Sequence, residues 1–358
     1  MGHRRRFFAL LVLGALVVVS AACSSDSPSA TAAGGSGSGA SGGSAAASVR
    51  LGYFPNITHA PGIVGVEKGF FQQELGATKL ETSTFNAGPE AVDALFADSI
   101  DAAFVGANPA INAFQKSNGE AVRIVSGSTS GGAGLVVKPS ISSAADLKGK
   151  KIATPQLGNT QDVALRAYLK ANGLQADTTG GGDVQITPQA NADTLTQFAS
   201  GDIDGAWVPE PFFSRMQLES GGKVLVDEKT LWPDGKFVTT QLIVASKFLK
   251  DHPDTVLALI KGEADAIKFI TDSPADAQKV TNDGIAKISG KPLKDDVLTA
   301  AFKNLSFTLD PIASSLQKSA QDAYDAGLLK STKLDGIHDL TLVNQVLKAA
   351  GHAEVTGL

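Results

Sequence analysis

From Val49 onward the chain alternates short apolar runs with stretches of helical periodicity. That alternation restricts it to an α/β fold, with largely parallel sheets covered by helices on both faces. Strands are expected at Val49 to Tyr53, Leu80 to Phe85, Ala102 to Val105, Val122 to Val125, Gly134 to Val137, Lys151 to Ala153, Val184 to Thr187, Gly205 to Val208 and Thr240 to Ala245. Helical patterns fill the gaps, for example Asp162 to Ala171 and Ala192 to Ala199, and no repeat of solenoid period interrupts them. Beyond Ser48, 310 of the 358 residues remain. That is more than one core usually holds, so two doubly wound lobes are expected.

Two segments read as crossings between lobes. One runs from Lys138 to Gly149, after a strand that ends at Pro139; the other lies near Val238 to Lys247, after the loop Trp232-Pro233-Asp234-Gly235. Lobe one then comprises residues 49 to 138 and 240 to 335, lobe two residues 139 to 239, and residues 336 to 358 form a C-terminal helix packing on lobe one. A ligand would sit between the lobes, at the carboxyl ends of the strands.

The N-terminal residues read as an export signal, because Arg4, Arg5 and Arg6 precede an apolar run from Phe7 to Val19 that ends in Ser20, Ala21 and Ala22. Such a run is too short to span a bilayer stably. It stops at Cys23, the only cysteine, where a lipoprotein signal places the thiol that receives diacylglycerol. Ser20 stands where the usual lipobox has Leu. Residues 1 to 22 are therefore expected to be removed and Cys23 lipidated, fixing the protein to the outer face of the cell membrane. From Cys23 to Ser48 the chain is almost all Ser, Gly, Ala and Thr, a composition that cannot bury enough apolar surface to order itself. As a flexible tether it has a mean reach of roughly 25–30 Å.

Without the signal's three arginines, 28 basic residues face 36 acidic ones, a net charge of −8. No basic stretch with interleaved aromatics follows the signal, so nothing suggests a nucleic-acid partner. A single cysteine excludes internal disulfides and a cysteine-based metal cage.

Strand after strand ends in a turn that opens a helix: Asn56 to Gly62 with His59 inside it, Asn86-Ala87-Gly88-Pro89, Asn108-Pro109, Gly158-Asn159-Thr160-Gln161, Asn191, and Pro209-Glu210-Pro211. Proline in the first turn and Asn, Ser or Gly at the cap are the chemistry of helix starts. In a doubly wound lobe these starts share one edge of the sheet, and their free amides and dipole ends converge on one cleft. Such a cleft holds an anion without a cationic side chain. The run Ser126 to Gly132 adds hydroxyls, Ser128 among them, and bare backbone at Gly131; read plainly, it is a flexible loop between lobes. Trp207, beside Glu210, is either a core residue or the wall of the ligand site, in which case Glu210 would meet an amine or a hydroxyl.

At these residues the chain resembles the binding proteins of ABC importers for aliphatic sulfonates, nitrate and taurine, whose clamp fold also serves thiamine-pyrimidine precursors. The stretches that carry the resemblance are Phe85 to Glu90 leading to Leu95, Ser99-Ile100-Asp101 with Gly106 to Ile111, and Ala145 to Ala153. In lobe two they are Gly158-Asn159-Thr160 ahead of Leu165-Arg166, and Gly201 to Trp207 through Glu210-Pro211. The resemblance implies a two-lobed periplasmic-binding-protein type II fold, two doubly wound sheets joined by two crossover segments. It also implies a cleft lined by the loops around Asn56, Gly88, Asn108, Ser128, Asn159 and Glu210. The ligand would be a small organic anion, with an aliphatic sulfonate first and nitrate or taurine next; the partners would be a permease and an ATPase, and no cofactor is implied. Sulfonate binders often carry an aromatic just before the acid-proline pair, where this chain has Pro209, so the aromatic wall shifts to Trp207.

Rival readings are weaker. The five histidines, His3, His59, His252, His338 and His352, show no metal-like spacing, and Thr129 stands where a nucleophile elbow needs a serine. With no Walker loop or dinucleotide fingerprint, the energy for transport must come from a partner subunit. Binding of a pyrimidine precursor of thiamine, or ligand sensing by a lipoprotein, is the alternative to anion import.

Overall fold

The computed structural model describes residues 45–358, so the signal, Cys23 and nearly all of the tether lie outside the described residues. In chain order the strands are β1 (Ser48–Tyr53), β2 (Lys79–Thr84), β3 (Ala102–Val105), β4 (Val122–Gly131), β5 (Ala133–Val137), β6 (Lys151–Thr154), β7 (Gln185–Pro188), β8 (Gly205–Pro209), β9 (Lys223–Asp227), β10 (Val238–Ala245) and β11 (Leu305–Phe307). They form a six-stranded sheet ordered β11-β4-β10-β3-β1-β2 and a five-stranded sheet ordered β7-β6-β8-β5-β9. Apart from the edge strand β11, the two sheets share one pattern. In each, three parallel strands are followed by an antiparallel strand that arrives from the other lobe, β10 in lobe one and β5 in lobe two. The architecture is the two-sheet α/β fold of periplasmic binding proteins.

Burial follows from this order. Strand β3 reads Ala-Ala-Phe-Val and is buried along its whole length, because it lies between β1 and β10 with helices on both faces. Ala102 and Phe104 face the helix Pro253–Asp272 through Val256, Leu259 and Ile260. Ala103 and Val105 face Ala91, Leu95 and Ile111 of the helices Gly88–Phe96 and Ala107–Lys116. Lobe two repeats the layering, with Leu135 and Val137 against Leu165 and Leu169 on one face, and Val136 against Phe198 and Met216 on the other. The helix Thr341–Ala349 adds Val343 to the core of lobe one.

The first crossing lies earlier than the sequence suggests. Strand β5 already belongs to the five-stranded sheet, so the chain changes lobes at Gly131-Gly132 and not over Lys138 to Gly149. Both glycines have positive φ, +84° and +71°, a region where L side chains are strained. A Cβ at Gly131 would also lie 2.7 Å from the carbonyl oxygen of Asn304. Only glycine fits that turn. The second crossing falls between β9 and β10.

The run Ser126 to Gly131 is not a loop but the second half of β4, held between β10 and β11. Its polarity has a partner far away in sequence. Ser126 donates to the buried carboxyl of Glu263 in the helix Pro253–Asp272, with Ser128 beside it, and burial pushes that carboxyl up to about 8. Strands β9 and β11 were not expected; β11, at three residues, is too short for an alternating pattern.

Candidate functional site

The strand ends of both sheets meet at one cavity. Lobe one contributes Phe54, Asn56, Thr58, His59, Asn86, Ala87, Gly106 and Thr239, and lobe two contributes Asn159, Thr160, Gln161, Asn191 and Pro209. With the lobes in this arrangement the cavity measures about 20 Å³, room for roughly one water molecule, so a larger solute enters only when the lobes move apart. All but Thr239, at the start of the antiparallel strand β10, enter from the carboxyl end of a parallel strand: β1 leads to Phe54 and the turn Ile57–His59, β2 to Asn86, β3 to Gly106, β6 to the helix Thr160–Ala171, β7 to the helix Asn191–Ser200, and β8 to Pro209. Helix starts therefore surround the cavity, and their unpaired amides and positive dipole ends favour an anion there.

The lobe-two loop is held firmly. Asp162 accepts from Thr154 Oγ1 (2.9 Å) and Gly158 N (2.9 Å) and pairs with Arg166 Nε at 3.0 Å, all within the core. Asn159 Oδ1 caps its helix by accepting from Thr160 N at 2.9 Å. Thr160 Oγ1 is buried and has no hydrogen-bond partner among the described residues. It lies directly against Gly106 of lobe one, where an added Cβ would come within 2.3 Å of it. Gly106 is thus a point of close approach, and a side chain there would hold the lobes apart. Around the cavity the lobes touch through Gln156 donating to Glu90, Asn112 Nδ2 donating to Gly158 O (3.2 Å), and the pair Lys294–Glu219 at 3.4 Å.

His59 is buried and neutral, since burial alone lowers its pKa to about 3. The Phe54 N–H donates to its Nδ1 at 3.4 Å, and the two rings lie 4.2 Å apart. The ring proton is therefore on Nε2, which makes His59 a donor of fixed tautomer. No Asp, Glu, Lys or Arg lines the cavity.

Of the residues singled out from sequence, Asn56, His59, Asn159, Thr160 and Gln161 come together here. Six others do not. Gly88 is pressed against Pro109, which a Cβ would meet at 2.1 Å. Asn108 is turned into lobe one, its Nδ2 donating to Ser319 O at 3.2 Å. Ser128 faces Glu263, and Gly131 forms the crossing with its carbonyl accepting from Thr239 Oγ1. Trp207 is a core residue and no wall of the site: it is fully buried, its ring 5.7 Å from that of Tyr168, and its Nε1 donates to Glu228 at 2.7 Å. Glu210 is buried beside the crossing and accepts from Ser214 Oγ (2.8 Å) and Asn304 Nδ2 (2.8 Å). Burial outweighs these bonds and pushes its carboxyl up to about 7.

Sequence reasoning left out Phe54 and Thr239. It noted Thr58, Asn86, Ala87, Asn191 and Pro209 only within helix starts and Gly106 only within a stretch that carries the resemblance, although each was a usable signal. Among the described residues no cluster of His, Cys, Asp or Glu could hold a metal ion, and no helix is long and apolar enough to cross a membrane.

Comparisons with known proteins bear on the family and the fold. The profile of the NMT1-like family matches residues 42–283. The taurine-binding periplasmic protein of Escherichia coli K12 is 30% identical over 66% of this chain and 71% of its own length. The alkanesulfonate-binding protein of Xanthomonas axonopodis pv. citri superposes with a TM-score of 0.69 at 21% identity, covering 81% of this chain and 97% of that one. The periplasmic nitrate-binding protein of Synechocystis PCC 6803 superposes with a TM-score of 0.73 at 17% identity, covering 85% and 89%.

Proposed function

Because the chain belongs to the NMT1-like family, among the solute-binding proteins of ABC importers for sulfonates, nitrate and taurine, we propose that it captures a small organic anion between its lobes and delivers it to a permease. An aliphatic sulfonate is the first candidate. The observation that carries this reading is the cavity itself: helix starts from both lobes converge on it, and the polar side chains of its lining are all neutral. Thr160 Oγ1, buried without a partner, supports a ligand oxygen as the group it serves. The role is binding and not catalysis, as for the transporter components that make up the family.

A thermal-shift screen of alkanesulfonates, nitrate, sulfate and hydroxymethylpyrimidine tests the reading, because a ligand at a hundred times its dissociation constant adds about 2.7 kcal/mol of stability. Stabilisation by hydroxymethylpyrimidine alone would replace the anion reading. We also propose a lipid anchor on Cys23. Detergent-phase partitioning that is lost in Cys23→Ser supports it, and unchanged processing and membrane binding of that variant refutes it.

A further inference from the structure

None of the residues that line the cavity is Asp, Glu, Lys or Arg, and the one titratable side chain among them, His59, is neutral with its proton on Nε2. The carboxylates near the lining are committed elsewhere. Glu90 holds Asn86 through its backbone N (3.1 Å) and Nδ2 (3.3 Å) with one oxygen, and accepts from Gln156 with the other. Asp162 is paired with Arg166, and Glu210 is bound by Ser214 and Asn304. None of the three lines the cavity.

A single negative charge is matched by the helix starts and by neutral donors. An ammonium group enclosed in the same cavity would meet amide and hydroxyl oxygens but no counter-charge, and a buried charge without one is strongly disfavoured. A second negative charge would likewise find no cation. We infer that the cavity selects compact monoanions without an ammonium group, so that this chain takes ethanesulfonate and turns taurine away. The inference rests on the reading above that this cavity is the solute site.

The missing acid has an obvious place. Asn191 begins its helix at the cavity, and its Oδ1 is buried with no hydrogen-bond partner among the described residues. A carboxylate there would sit where an ammonium could reach it.

Isothermal titration of the purified full chain with ethanesulfonate and taurine, which differ by the ammonium, decides the matter. Ethanesulfonate should bind at least about 30-fold more tightly than taurine, and sulfate more weakly than ethanesulfonate. In Asn191→Asp, ethanesulfonate should weaken at least about tenfold while taurine improves. Taurine binding within threefold of ethanesulfonate to the unaltered chain overturns the inference; if Thr160→Val then weakens both ligands, the cavity is still the solute site. An equal loss for both ligands in Asn191→Asp, with an unchanged melting temperature, also overturns it. No binding of either sulfonate overturns the solute-site reading and this inference together.

Discussion

Thr160→Val is the sharpest single perturbation of the site, because binding and stability should move in opposite directions. Thr160 lines the cavity and is 6% exposed, and its hydroxyl makes no hydrogen bond among the described residues. If it serves an anionic oxygen of the solute, its removal forfeits a hydrogen bond to a charged group, about 1.5–3 kcal/mol. That is roughly a ten- to 150-fold loss of affinity. Without ligand, the same hydroxyl is a polar group removed from water without compensation, and replacing it by a methyl of similar shape should leave stability unchanged or raise it by up to about 1 kcal/mol. Titration calorimetry with ethanesulfonate measures the first effect and urea unfolding without ligand measures the second. Affinity within twofold of the unaltered protein would refute the assignment. So would a ligand-free stability loss above about 1 kcal/mol, which would mean that the hydroxyl serves the fold.

Other perturbations test the remaining parts of the account. Gly106→Ala places a methyl 2.3 Å from Thr160 Oγ1 of the other lobe and should weaken ethanesulfonate at least about tenfold by keeping the lobes apart; unchanged affinity would refute this. Trp207→Phe should cost roughly 1–3 kcal/mol in urea unfolding by leaving the buried Glu228 without its 2.7 Å donor; a selective loss of affinity instead would return Trp207 to the site. The pH dependence has a definite sign. Burial pushes Glu210 and Glu228 up to about 7 and Glu263 up to about 8. A carboxyl raised in the fold contributes stability that is fully present below its unfolded pKa near 4.5 and is lost as pH rises through the folded value. Between about pH 7 and 8 His59 and His338, neutral in the fold, are mostly neutral in the unfolded chain as well, so the unfolding free energy should fall by up to roughly 1.4 kcal/mol per pH unit for each such carboxyl. Glu263→Gln should flatten that slope; a rise in stability over the same range would contradict the burial of these groups as acids.

Much of the fold was legible because fully buried strands announce themselves. Ala102 to Val105 and Gly205 to Val208 read as continuous apolar runs, and each is covered on both faces. The polar half of β4 was not legible, since serines and glycines signal a loop unless their partner is known. That partner, Glu263, lies 137 residues beyond Ser126. The crossing at Gly131-Gly132 carried a local signal, a glycine pair, but Pro139 and the polar run after it drew the boundary to the wrong side of β5.

The site divides along a similar line. Asn56, His59, Asn159, Thr160 and Gln161 could be found because strand ends and helix starts mark which loops face the cleft. Spacing does not tell which way a side chain on such a loop turns. Asn108 follows β3 as closely as the lining residues follow their own strands, yet its amide reaches Ser319. Glu210 adjoins the lining residue Pro209, but is bound by Ser214 and by Asn304 of the other lobe. Thr239 was missed because it precedes the apolar run that marked its strand.

The most direct test of the central claim is a crystal structure of the complex with ethanesulfonate. The account predicts the sulfonate between the lobes, its oxygens within hydrogen-bond reach of Thr160 Oγ1, His59 Nε2 and the backbone amides at the start of the helix Thr160–Ala171. A sulfonate bound anywhere else, such as the open groove between the helix Pro253–Asp272 and the C-terminal residues around Val346 and Val355, would contradict it.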